Sequence, residues 1–208
     1  MNLKETWKKF WNLLWRDNSL KGWAFSIIFL FIFIKFIFFP VLGLITGTDL
    51  PLAIVESCSM YHSGPDNEKG FGRWWKGHEA KYSNLEINKE EFENFRLRNG
   101  FNKGDILLII KASPGKLKVG DIIIFNANQK NPLIHRIIAI NIDTKTGERI
   151  FSTMGDNNNG QLSVEKNIKE NQLVGKAVAE IAPLIGWGKL LFFELAKSES
   201  ERGLCEEK

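Results

Sequence analysis

Residues 51 to 63 read PLAIVESCSMYHS, and within them Ser57, Cys58 and Ser59 set two hydroxyls around a thiol directly after an apolar run. A serine hydroxyl performs acyl transfer when three things meet: the hydroxyl, a base within hydrogen-bond reach, and donors for the developing oxyanion. Bases are few in this chain. Histidine occurs only at positions 62, 78 and 135: His62 follows the serines on the same segment, His78 lies in a polar stretch, and His135 opens IHRIIAI. A Gly-Asp-Asn turn comes later, MGDNNNG with Asp156. Each piece has an ordinary reading as well. Serines and Gly-Asp-Asn runs are common in turns, and a single histidine on an apolar strand usually serves packing. MGDNNNG is not a calcium loop, because its glycine comes one position early and the twelfth position from Asp156 is Asn167.

These residues need strands to bring them together. Beyond residue 51, short runs rich in β-branched and apolar residues predict strands at Leu52 to Val55, Asp105 to Ile110, Asp121 to Phe125 and Ile134 to Ile140, with others near Arg149 to Thr153 and Leu173 to Ile181. Gly104-Asp105 and Gly120-Asp121 each suit a turn that aims the chain into a strand. Residues 61 to 100 are polar and read as an insertion with a helical piece, in which Asn88 can cap and Glu91 sits three positions later. Its Trp74-Trp75 pair, flanked by Arg73 and Lys76, either meets an interface or partner or forms a small local core. The stretch 183 to 196, PLIGWGKLLFFELA, is apolar but too short to span a membrane comfortably. It suits interfacial packing or burial against the domain. Residues 197 to 208 read as a disordered tail.

The 208 residues include seven Trp and sixteen Phe, with much of the Phe between 25 and 39. Residues 22 to 48 carry one formal charge, Lys35, and as a helix would reach about 40 Å, more than the roughly 30 Å of a hydrocarbon layer. A central lysine costs about 2.5 to 3.5 kcal/mol, whereas the seventeen Phe, Ile, Leu and Val residues of the segment contribute about −0.3 to −0.6 kcal/mol each. Insertion is the expected outcome, with Lys35 either snorkelling or meeting a polar group. Lys4, Lys8, Lys9, Arg16 and Lys21 precede the span, and residues 41 to 60 contain no Lys or Arg. The positive-inside rule therefore predicts a cytoplasmic N-terminus and a single pass through the cell membrane. Residues 1 to 21 read as an amphipathic segment with Trp7, Trp11 and Trp15 at headgroup depth. The net charge of +4 is too small and dispersed to argue for nucleic acid. Cys58 and Cys205 have no CxxC spacing. A bridge between them is allowed but not forced, and Cys58 is expected to be a structural rather than a reactive thiol.

In order along the chain, SCSM, GDIIIFN, IHRIIAI and MGDNNNG, after one N-terminal span, resemble the successive boxes of type I signal peptidases, nearest to the archaeal and endoplasmic-reticulum type with histidine as base. The likeness covers roughly residues 50 to 60 and 103 to 190, and includes PLIGW. It implies a mostly β, signal-peptidase-like catalytic domain over residues 49 to 196, anchored by one transmembrane helix and carrying an α-containing insertion. It implies a membrane-bound serine endopeptidase with Ser59 as nucleophile, His135 as general base and Asp156 either orienting His135 or holding the site together. Ser57 would aid the oxyanion, Met60, directly after the nucleophile, would belong with it to the oxyanion and substrate-binding site, and Leu52 and Ile54 would grip an extended substrate at a strand edge. The implied partners are preproteins bearing signal peptides, the lipid bilayer and a translocase. No metal or organic cofactor is implied. A histidine base further implies activity that falls as pH drops through the histidine range.

The chain departs from that pattern in three places. Gln161 and Leu162 stand where the second aspartate of the ER-type pattern is usual, so Asp156 or Glu165 must support His135, or the site is a dyad. Cys58 replaces a small residue between the serines. Tyr61-His62 stands where Glu-Pro is common. The departures keep two rivals in view: a catalytically weak homologue that binds export substrates or a translocase partner, and a membrane peptidase of narrow specificity.

Overall fold

The computed structural model describes residues 3–62, 68–129, 131–194 and 202–205. Two compact units divide the chain, Met1–Thr46 and Gly47–Lys208.

In the first unit, α1 (Leu3–Trp15) exposes Trp7, Trp11 and Trp15, while Phe10 meets Phe25 and Phe29 edge-on. Ser19 caps the next helix by accepting from the Gly22 N–H at 3.2 Å. From there α2 (Leu20–Phe33), a π-helical turn (Ile34–Phe38) and α3 (Phe39–Thr46) run on as one 27-residue helix, Leu20–Thr46. Among the described residues it is the one helix long and apolar enough to cross a membrane. Pro40 accounts for the widened turn: it has no N–H and crowds the carbonyl four residues back, and the Phe39 N–H reaches the Ile34 carbonyl instead. The Lys35 ammonium lies 5.8 and 5.4 Å from the ring centres of Phe31 and Phe36, where the aromatic faces partly offset the cost of an apolar setting.

The second unit is built on one six-stranded antiparallel sheet in the order β1-β2-β6-β3-β4-β5. Its strands are β1 (Leu52–Ile54), β2 (Ile106–Ile110), β3 (Ile122–Phe125), β4 (Leu133–Ile142), β5 (Arg149–Met154) and β6 (Leu173–Ala182). All six sequence-predicted strands are present, with ends moved by one or two residues. Strand β3 reads IIIF because both its faces are covered. Ile122 and Ile124 join Val55, Met60, Leu107 and Ile109 in one core, while Ile123 and Phe125 join Leu117, Ile137 and Phe151 in another. The Gly-Asp pairs act as expected of turns. Gly104 and Gly120 have φ of +94° and +90°, and a Cβ at either would lie 2.2 Å from an aromatic ring, that of Trp187 or Phe95. Asp105 then accepts from the Asn102 N–H, and Asp121 from the Lys118 N–H, which fixes the chain direction into β2 and β3.

The insertion has its own core. Helices α4 (Glu68–Ser83) and α5 (Lys89–Glu93) bring Phe71, Trp74, Trp75, Tyr82 and Phe92 together over Ile138 and Met154. Trp74 and Trp75 are buried, so of the two readings open for this pair the local core is the one observed. Asn88 caps α5 by accepting from the Glu91 N–H at 2.9 Å.

At the C-terminal end, α6 (Trp187–Glu194) docks through Gly186 N–H to the Gly104 carbonyl and Trp187 Nε1 to the Lys103 carbonyl, and buries Leu190 while leaving Leu191, Phe192 and Phe193 exposed. Two expectations are corrected here. Residues 202–205, read as part of a disordered tail, are tied down: the Gly203 N–H donates to Glu194, which also pairs with buried Lys103; residues 197–201 and 206–208 lie outside the described residues. Cys58 is no free thiol but is joined to Cys205 by a disulfide. Spacing gave no hint of it, because the fold, not the sequence, brings positions 147 residues apart to a Cα separation of 5.3 Å. Closing a loop that long constrains the unfolded chain strongly. Cys205→Ser is expected to lower the unfolding free energy by about 2–5 kcal/mol, read from denaturant midpoints of the oxidised wild type and the variant; equal midpoints would mean that the bridge contributes nothing.

Candidate active site

Strand β1 carries the chain to a turn in which the Tyr61 N–H donates to the Cys58 carbonyl at 3.1 Å, and Ser59 stands at its crest. Two strands along the sheet from β6, β4 presents His135, nearly fully buried. Its Nε2 is 2.8 Å from Ser59 Oγ. On the other side of the ring, Nδ1 meets Glu165 Oε1. Glu165 is buried in a 3₁₀ turn (Ser163–Glu165) and accepts two further bonds, from Thr153 Oγ1 at 3.1 Å and from the Leu162 N–H at 2.7 Å. A carboxylate so held favours the tautomer with the proton on Nδ1, leaving Nε2 free to accept from Ser59. Hydroxyl, imidazole and carboxylate therefore form one continuous relay.

Asp156 does not take part in it. Successive side chains of a strand point to opposite faces, so while His135 faces Ser59, its neighbour Arg136 faces the insertion. There Arg136 grips Asp156 through Nη2 at 2.6 Å and Nε at 3.0 Å, and its remaining donors reach the carbonyls of Arg96, Leu97 and Gly120. Asp156 also accepts from His62 Nε2 at 3.0 Å and Tyr82 OH at 2.8 Å. Of the two roles expected of Asp156, that of orienting His135 is thus corrected: Glu165, three and four positions beyond Leu162 and Gln161, lies at the imidazole with its longer side chain.

The electrostatics of this second cluster follow from burial and pairing. Burial opposes the charge of Asp156, but Arg136, with help from His62, more than offsets it and holds the carboxyl well below the usual range. Burial pushes the His62 imidazole down despite the attraction of Asp156, so at neutral pH it is an uncharged donor. Burial and then Asp156 raise the Tyr82 hydroxyl well above its ordinary value. His62 and His78 both stack on the Trp74 ring, at 3.5 and 4.5 Å between ring centres, and neither meets Ser59. Of the three histidines, only His135 does.

The remaining expected residues divide. The Ser57 hydroxyl is exposed and 3.2 Å from that of Ser59. Met60 is corrected as a substrate-facing residue: it is 1 % exposed, packs in the core with Val55 and Phe101, and lies 3.4 Å through sulfur from the Asp156 N–H. Leu52 and Ile54 lie on β1, at one end of the sheet. The Val55 N–H bonds the Asp105 carbonyl and the Ile109 N–H bonds the Pro51 carbonyl, so by the alternation of an antiparallel ladder the backbone groups of Leu52 and Ile54 point away from β2, to an edge where no other strand pairs among the described residues. Tyr82 and Lys81 carried no signal in the sequence, because nothing local ties them to Asp156.

No protein-family model matches the chain. A sequence likeness does exist: the chain is similar to the signal peptidase complex catalytic subunit of Lachancea thermotolerans, 32% identical over 94 residues, which is 42% of this chain and 55% of that protein. The likeness is to a signal peptidase. This chain spans about half the length of the curated relative it matches.

Proposed function

We propose that the protein is a membrane-bound serine endopeptidase that removes N-terminal signal peptides from exported proteins. The observation that carries this reading is the relay Ser59–His135–Glu165, set beside a sheet edge that can take an extended strand. His135 accepts the Ser59 proton as the hydroxyl attacks the scissile carbonyl, then returns it to the leaving amine. Glu165 fixes the ring and stabilises the imidazolium. Ser57, with the Ser59 N–H, would meet the oxyanion. Leu52 and Ile54 would pair with the substrate backbone, and the side chains nearest the cut would be small.

The helix Leu20–Thr46 supplies the anchor, with residues 1 to 21 in the cytoplasm and residues 49 to 196 on the outer face, where a disulfide persists. The exposed Ile185, Leu191, Phe192 and Phe193 on and before α6 suit a lipid interface. A preprotein is the substrate, and a translocase the neighbour that delivers it. The rival reading, a weak homologue that only binds export substrates, drew its support from Gln161 and Leu162; a carboxylate at His135 removes that support. The test is incubation of the full chain in liposomes with a signal-peptide-bearing precursor, followed by mass determination of the products. One cut behind the signal peptide, absent with Ser59→Ala, is expected; an intact precursor with the wild type would overturn the proposal.

A further inference from the structure

The insertion packs beside the site, and one of its residues touches the support of the nucleophile. The turn that follows β5 lies directly beneath Ser59: a Cβ at Gly155 would come 2.8 Å from the Ser59 carbonyl oxygen. From this turn the Asn157 N–H donates to the Ser59 carbonyl at 2.8 Å, and Asn157 Nδ2 to the Cys58 carbonyl at 3.0 Å. The turn's own carbonyls at Asp156 and Asn158 are taken up by Lys81 of α4, whose Nζ donates to them at 2.6 and 3.0 Å.

We propose that Lys81 is a positioning residue for Ser59: by holding the carbonyls of Asp156 and Asn158, it aims the Asn157 donors at the nucleophile turn. This rests on the peptidase reading above. It gives the insertion a task in the reaction, since α4 then sets the height of Ser59 against His135.

The chemistry suits lysine. Two carbonyls from one turn need a compact group with several donors, and an ammonium supplies three. Its positive charge faces their negative ends, polarises the peptide units between them, and strengthens the bonds that Asn157 makes. The groups facing Lys81 are the Asp156 carboxylate from the turn, backed by Arg136 of β4 and by His62, and the Tyr82 ring on its own helix, 5.1 Å away. Burial lowers the Lys81 amine to about 8, against the pull of Asp156. The linkage runs opposite to a stabilising role. With the folded value below the ordinary 10.5, the unfolded chain binds the proton more readily between these values, so this group adds to stability as pH rises from 8 to 10. A charge that the fold resists is retained at the one place where it braces Ser59.

The experiment measures kcat and KM for precursor cleavage from pH 6 to 10 with the wild type, Lys81→Met and Lys81→Arg, alongside thermal midpoints. Expected are a wild-type kcat that declines above about pH 8, a decline displaced upward in Lys81→Arg, and a Lys81→Met kcat lowered about 10- to 100-fold at pH 7 with KM within about twofold. A merely structural lysine would move the midpoint and leave kcat and its alkaline limb alone. Wild-type kcat and an unchanged limb in Lys81→Met would overturn the proposal. Hydrogen exchange of the Asn157 and Tyr61 amides gives a readout that needs no cleavage. Faster exchange in Lys81→Met than in Lys81→Arg is expected even if no precursor is cut and the peptidase reading itself fails, and equal exchange in all three proteins counts against the brace.

Discussion

Glu165→Gln is expected to lower kcat for precursor cleavage by about 10³- to 10⁴-fold while leaving the protein folded. The glutamine amide can present its N–H₂ to His135 Nδ1, which turns the imidazole to the tautomer protonated at Nε2. Nε2 would then have no lone pair for the Ser59 proton. The stability cost is smaller, about 1–2 kcal/mol, because the glutamine oxygen can still accept from Leu162 N–H or Thr153. Steady-state cleavage and a denaturant melt on the same preparation separate the two effects. His135→Ala is expected to lose at least as much activity. A Glu165→Gln enzyme with near wild-type kcat would show instead that Ser59 and His135 act as a dyad.

Asp156→Ala is expected to behave in the opposite sense, with its main damage in stability. It leaves the Arg136 guanidinium, fully buried, without its carboxylate, and removes the acceptor for His62 and Tyr82. Breaking a buried pair from one side costs about 3–5 kcal/mol, enough to consume much of a typical folding free energy. The pH dependence checks the cause. The folded Asp156 carboxyl lies below its ordinary 3.8, so its contribution is complete above that pH and is lost as pH falls beneath it. The variant is therefore expected to be less stable at neutral pH and to show a shallower decline in acid, measured as unfolding midpoints from pH 7 down to 2. An unchanged midpoint at pH 7 would mean that the carbonyls of Arg96, Leu97 and Gly120 already satisfy Arg136.

The contrast between the two carboxylates shows where the sequence was readable. All six strands follow from runs of β-branched and apolar residues, and the choice of Ser59 and His135 comes from the resemblance of the ordered boxes rather than from either residue alone. The pleat of β4 already implied that His135 and Arg136 face opposite sides, but which side Asp156 chose depends on the turn after β5 and on Tyr82 and His62, which arrive from the insertion. The sequence reading left Glu165 open beside Asp156, and only the 3₁₀ turn at Ser163–Glu165 delivers its side chain to the imidazole. The fate of Trp74 and Trp75 was balanced for a similar reason. An aromatic pair beside Arg73 and Lys76 suits a local core or an interface equally, and the packing of Phe71, Tyr82 and Phe92 around it decides. The disulfide was least legible, since two cysteines without a motif carry no distance information.

That disulfide also imposes an order in time. Cys58 sits between the two serines, and its partner is synthesised 147 residues later. While the chain is being made, the segment that bears Ser59 leaves the ribosome long before the strap that will hold it. At rates of about 5–20 residues per second, the delay is several seconds or more. During that interval the turn that bears Ser59 is without its covalent tether, and oxidation completes it only after Cys205 has been translated. Completion of the turn is in this sense a late event, which waits until nearly the whole of the second unit has been made.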